Sequence, residues 1–231
     1  MGKEQDPLVI FRELLNLFED YTKSGFKTKY GNISLTKPRN KPLDKKKRSL
    51  TLQEIALKIK NCTQCDLCFN RLNTVPGEGV FDPLVMIIGE GPGADEDKTG
   101  RPFVGRAGQY LDKWLKAINL IRFKNCYIGN IVKCRPPGNR DPKAEEITAC
   151  FPYLEEQIKL IRPKAILTLG RISSQIMIGM QKGINSLRGG AYFYKDIPLV
   201  PTFHPSAVLR DSTLRKAVWE DIKLLRSILK Q

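Results

Sequence analysis

Apolar residues along this chain fall into two kinds of pattern. Four short runs, at 84–88, 126–132, 165–169 and 199–202, are rich in β-branched residues and end in glycine, proline or polar clusters. Each predicts a buried strand. Between and after them, apolar residues spaced three and four apart predict helices over about 109–118, 143–161, 171–180 and 212–229. A further short helix is expected at 51–60, with Thr51 as its cap and Glu54 as the capping-box partner. Strands alternating with helices build βαβ units, and so a parallel sheet covered on both faces. The expected fold is α/β: a three-layer αβα sandwich around a central four-stranded parallel sheet, with a helical extension at the N-terminus.

That extension reads separately. Residues 7–23 carry apolar positions 8, 11, 15 and 18 beside 14, 17 and 21, a helix with a broad apolar face. Pro7 suits its first turn. Gln5, Leu8 and Phe11 are spaced like the front of a sliding-clamp-binding peptide, but Arg12 stands where that motif has its second aromatic. Docking of the helix on its own protein is the competing reading. Residues 24–49 lack periodicity, contain Gly25, Gly31, Pro38 and Pro42, and end in the basic run 45–48. They read as a linker that either tracks nucleic-acid phosphates or is simply solvated. The expected division is therefore an N-terminal helix and basic linker at 1–49 and a compact domain at 50–231.

Charge narrows the partner. The 231 residues carry a formal net charge of +15, which favours a polyanion and most simply a nucleic acid. A generally basic surface, of the kind thermophiles carry, is the alternative. With 41% hydrophobic residues a sizeable core is available, and no apolar run approaches the ~20 residues of a membrane helix. No signal-peptide pattern opens the chain. An intracellular, cytoplasmic monomer with no membrane partner is expected.

The chemistry concentrates after the first strand, in GEGPGADEDKTGRPFVGRAG at 89–108. Three glycines let the backbone turn and approach a ligand closely, a carboxylate sits inside the loop, and an aromatic follows. A dinucleotide cradle is the alternative, but Gly89, Gly91 and Gly93 do not give GxGxxG spacing. The other chemistry-bearing loops, at 133–140 and 203–206, also follow strands, so all fall on the carboxyl edge where such sheets bind ligands. Of six cysteines, Cys62 and Cys65 form a C-x2-C pair, and Cys134 and Cys150 stand far downstream. That spacing does not match two zinc knuckles. Four thiolates from separated elements can hold a [4Fe–4S] cluster, and Cys68 competes for one place. Cys126, inside a strand, reads as a small core residue.

Three segments together resemble the family 4 uracil-DNA glycosylases: 89–108, NIVKCRPPGN at 130–139 and HPSAVLR at 204–210. The pattern Cys62, Cys65, Cys134, Cys150 is similar to that family's iron–sulfur ligands. The resemblance spans about 50–231 and gives no role to Cys68 or to the first fifty residues. Glu90 and Asn130 favour family 4 over the related family 5. The resemblance implies a uracil-DNA glycosylase-like fold, a DNA-repair enzyme that flips uracil out of DNA and hydrolyses its glycosidic bond, and a nucleoid-associated location.

Roles follow from the resemblance position by position. Glu90 would direct the attacking water, with Asn139 sharing that work. Phe103 would stack on the base, Asn130 would read its edge, and Gly91 would offer a backbone N–H. Glu96 would crowd C5 and reject thymine. His204, the single histidine, would bond uracil O2 as charge builds on the leaving base. Ser206, Arg210 and Lys133 would hold phosphates, and Val208 or Leu209 would wedge into the vacated space. Two rivals remain: a non-catalytic iron–sulfur DNA-binding module and a dinucleotide-dependent oxidoreductase.

Overall fold

The computed structural model describes residues 45–230. In chain order its elements are α1 (Lys45–Lys60), β1 (Glu78–Gly79), β2 (Val85–Gly89), α2 (Ala94–Thr99), α3 (Arg106–Ala117), β3 (Cys126–Asn130), α4 (Ala144–Ile161), β4 (Ala165–Leu169), α5 (Arg171–Ile178), α6 (Ile184–Leu187), β5 (Tyr192–Tyr194), β6 (Ile197–Thr202), α7 (Pro205–Arg210) and α8 (Arg215–Ile228). The expected helix at 7–23, the clamp-like residues Gln5, Leu8 and Phe11, and residues 24–44 of the linker lie outside the described residues.

The sheet has six strands in the order β1-β3-β2-β4-β6-β5. Its four central strands are mutually parallel, as expected. Two short antiparallel strands close the edges, β1 on β3 and β5 on β6. They were not anticipated: β1 is two residues long and carries no periodic signal. The central strands β2, β3 and β4 are buried at every position, which explains why they read as continuous apolar runs rather than alternating ones.

Alternate residues of each strand feed two cores. Val85 and Ile87 point to a layer with Leu111, Trp114 and Leu115 of α3, Val208 of α7, and Val218, Ile222 and Leu225 of α8. Met86 and Ile88 point to the opposite layer, with Leu154, Ile158 and Ile161 of α4 and Met177 of α5. This is the three-layer αβα arrangement. Cys126 is fully buried in the first core, as its strand position predicted.

α1 corrects the N-terminal reading. It starts at Lys45, so the basic run 45–48 forms its first turn rather than the end of a linker, and Thr51 lies inside the helix rather than capping it. Ile55 and Ile59 pin the helix to the domain, at 3% and 0% exposure. No helix among the described residues is long and apolar enough to cross a membrane.

Strand order positions the site. From β2 the chain moves to β3 on one side and then to β4 on the other, so the connections diverge between β2 and β4. A crevice opens there, outside the carboxyl ends of the strands.

Candidate active site

The crevice is a cleft of about 490 Å³ lined by Glu90 and Gly91 after β2, Phe103 from the loop before α3, Asn130 at the end of β3, and His204 and Ser206 after β6. Asn139, Glu96 and Arg210 also line it. The strand ends are zipped together: the Ile131 and Val132 N–H groups donate to the carbonyls of Gly89 and Glu90, each at 3.0 Å. Glu90 and Asn130 are thereby held side by side.

Asn130 is 1% exposed, and its Oδ1 has no hydrogen-bond partner, the one such buried side-chain atom among the described residues. An orphaned buried acceptor costs about 1–3 kcal/mol. Gly89 makes room for it: a Cβ at 89 would lie 2.4 Å from Asn130 Oδ1 and 2.5 Å from Phe103 Cζ.

Phe103 is 6% exposed and adopts φ +52°, a conformation that is strained for an aromatic residue. The surroundings hold it there. The Arg122 guanidinium donates to the carbonyls of Pro102 and Phe103 and pairs with Asp112. Gly108 permits the close approach of α3, since a Cβ there would lie 1.8 Å from the Phe103 carbonyl oxygen. The Phe103 ring faces His204, centroid to centroid 5.8 Å.

Glu96 braces the loop. Its Oε1 accepts from the N–H groups of Val104 and Gly105 at 2.8 and 3.0 Å, and its Oε2 accepts from Gly93 N–H at 3.1 Å. A carboxylate committed to three amides fixes both ends of the turn that presents Phe103.

His204 caps α7. Its Nδ1 accepts the Ser206 N–H at 3.2 Å and lies 2.7 Å from the Ser206 hydroxyl. An Nδ1 that accepts a backbone N–H carries no proton, so the neutral ring bears its proton on Nε2. Burial, with a smaller push from Arg210 and against the opposing pull of Glu96, lowers the His204 pKa to about 4. Glu90 moves the other way. Burial raises its carboxyl to about 7, with Asp141 adding and Arg171 subtracting. The cleft therefore holds a carboxyl poised near neutrality opposite an imidazole that stays neutral.

Two expected DNA contacts are corrected. Lys133 is 1% exposed, and its Nζ donates to the Asn130 carbonyl at 2.9 Å and to Gln157 Oε1 at 2.8 Å. No phosphate can reach it. Val208 is 1% exposed and packed in the first core, so it cannot wedge into DNA; Leu209, 44% exposed, remains available. Asn139 lines the cleft, with its Oδ1 accepting from Arg135 Nε at 2.8 Å.

The cysteines gather around a second cavity. Cys62, Cys65, Cys68, Cys134 and Cys150 line one cavity with Arg71 and Lys133. Arg71 Nη1 donates to Cys134 Sγ at 3.1 Å, and the Lys133 backbone N–H donates to Cys150 Sγ at 3.2 Å. Burial pushes the Cys150 thiol up to about 11 and also raises Cys65 and Cys134. These three thiols stay protonated at neutral pH unless a cationic centre binds them. Among the described residues no three His, Cys, Asp or Glu side chains converge as a single metal ion would require.

The family model described as the uracil DNA glycosylase superfamily matches residues 76–223. A type-4 uracil-DNA glycosylase from Sulfurisphaera tokodaii is 44% identical over 186 residues, covering 77% of this chain and 84% of that protein. One from Thermotoga maritima is 43% identical over 188 residues, covering 80% and 97%. One from Pyrobaculum aerophilum is 42% identical over 183 residues, covering 76% and 93%. This chain belongs to the type-4 uracil-DNA glycosylases.

Sequence reasoning missed some parts of this type-4 glycosylase. Arg171 and Asp141 form an ion pair at the cleft and act oppositely on Glu90. They sit thirty residues apart, and nothing local in the sequence joins them. Arg71 also went unremarked, although an arginine three residues after a C-x2-C-x2-C run was a readable signal.

Proposed function

We propose that this protein is a monofunctional DNA-repair hydrolase that flips uracil out of DNA, cleaves its glycosidic bond and leaves an abasic site. The observation that carries this reading is the orphaned Asn130 Oδ1 in the cleft. A buried acceptor awaiting a donor matches the N3–H of uracil, and the amide nitrogen of the same side chain can donate to O4. Cytosine, with a bare N3 and an amino group at position 4, presents the opposite pattern.

The other roles follow from chemistry at the same cleft. The Phe103 ring offers a stacking face to an extruded base. Glu90, ionised above about pH 7, would direct a water to the sugar and stabilise its developing cation. Asn139 would assist through its amide. His204 Nε2–H would donate to O2 as negative charge leaves with the base, and the Gly91 N–H would reach a uracil carbonyl. Glu96 would exclude thymine only through the shape of the loop it braces, because its carboxylate is already bound. Ser206 and Arg210 would hold phosphates, and Leu209 would fill the space left by the base.

The [4Fe–4S] assignment to Cys62, Cys65, Cys134 and Cys150 rests on a donor set of thiols in one cavity, with two N–H groups already pointing at sulfur. When bound, such a cluster would tie the α1 end, the β3 exit and α4 together. The chain's own side chains carry out the excision steps. Cys68 lines the same cavity and is the spare thiol. The protein would act as a monomer inside the cell, where its DNA substrate lies. A clamp contact through Gln5, Leu8 and Phe11 would be a separate tether.

The test is an oligonucleotide with one uracil, incubated with the protein and then with alkali. Strand cleavage appearing only after alkali supports the reading. Cleavage before alkali would indicate a lyase, and an intact strand after alkali would leave only the DNA-binding rival.

A further inference from the structure

Lys133 poses a problem of charge. A buried ammonium is costly unless something compensates it. Its two side-chain partners, the Asn130 carbonyl and Gln157 Oε1, are neutral, and no carboxylate pairs with it among the described residues. The Gln157 amide is itself held, donating to the Pro76 carbonyl at 2.8 Å and to the Tyr127 hydroxyl at 3.2 Å. The network is well bonded but carries no negative charge.

Among the described residues, Cys150 is the group whose charge acts on the Lys133 ammonium. Lys133 also lines the cysteine cavity, and its backbone N–H donates to Cys150 Sγ. Four thiolates around an iron–sulfur cluster make a centre of net negative charge. The same ammonium grips the backbone carbonyl of Asn130, the last residue of β3, which pairs with Gly89.

We infer that Lys133 is the buried counter-charge of the cysteine-held centre and, through the same ammonium, the positioning residue for Asn130. This rests on the proposed reading of the cysteines and of Asn130. The two sites then share one cation, and the state of the centre sets how firmly the base-reading residue is held. Outer-shell partners of metal ligands commonly act in this way.

Lys133→Met keeps the stem and removes the charge. Prepared anaerobically, it should release iron to a chelator about tenfold faster than the wild type. Its centre should be harder to reduce, because a nearby positive charge has gone. Its kcat on uracil DNA should fall while its affinity for uracil-free duplex holds. A purely packing role would lower the melting temperature and leave the potential in place. Gln157→Glu is the second variant and carries the test if Lys133→Met does not fold. It sets a carboxylate against the ammonium, and should lower the potential and speed iron release in the same direction. A folded variant with wild-type potential and iron release overturns the inference alone. Wild-type protein that contains no iron overturns the cysteine reading first, and the inference with it.

Discussion

A methyl group at position 89 would collide with both Asn130 Oδ1 and the Phe103 ring, the two groups proposed to hold the base. Gly89→Ala is therefore expected to keep the fold and lose function. Overpacking of this kind costs roughly 1–3 kcal/mol. Single-turnover excision should fall at least about tenfold while the circular dichroism spectrum stays that of the wild type. Glu90 gives a second expectation. Its carboxyl is raised to about 7, so if it directs the water as proposed, excision should rise with pH through that value as it ionises. The same shift acts on stability. Because the folded protein binds this proton more tightly than the unfolded chain, the contribution of Glu90 is fully present below its ordinary value of 4.5 and is lost as pH rises through about 7. Glu90→Gln removes that loss. Its melting temperature should gain on the wild type as pH rises across this window, and a constant difference would contradict the assignment. The residues that misled at this scale did so for physical reasons. Lys133 stands in a loop-like Cys-Arg-Pro-Pro context that reads as surface, and only the fold shows that it turns back under β3. Val208 and Leu209 are neighbours whose burial is decided by the register of a six-residue helix, too short for periodicity to reveal.

Among the elements, the four parallel strands and their flanking helices were legible because buried strands and amphipathic helices leave strong patterns. The β1 and β5 edges were less so: one is two residues long, and the other is the three aromatics Tyr192–Tyr194, framed by Ala191 and Lys195. The cleft was legible as a set of loops following strands, but its geometry was not, since the partners of Asn130 and Glu90 come from distant segments. α1 shows how an element supports the site. Ile59 is fully buried three residues before Cys62. Ile59→Ala should cost about 2–5 kcal/mol and speed iron release, as read by thermal melting and chelator challenge. Unchanged iron release with lowered stability would show that the cysteine loop is held independently of α1.

For the molecule as a whole, a net charge of +15 implies that DNA binding weakens steeply with salt. A chain beginning at Ser49 keeps Ile55 and Ile59 but loses the basic first turn of α1. It should still fold and excise uracil, with a shallower slope of log affinity against log salt. An unchanged slope would mean that residues 45–48 do not meet phosphate. The central claim is that the cleft around Asn130 recognises and excises uracil. It is tested most directly by measuring single-turnover uracil excision by the wild type and by Asn130→Asp on the same oligonucleotide. The account predicts a fall of at least about tenfold, because an acceptor replaces the donor that meets O4 and a mismatched buried contact costs roughly 1–3 kcal/mol. A gain of cytosine excision by the variant would strengthen it further. Wild-type uracil excision by Asn130→Asp would contradict the account.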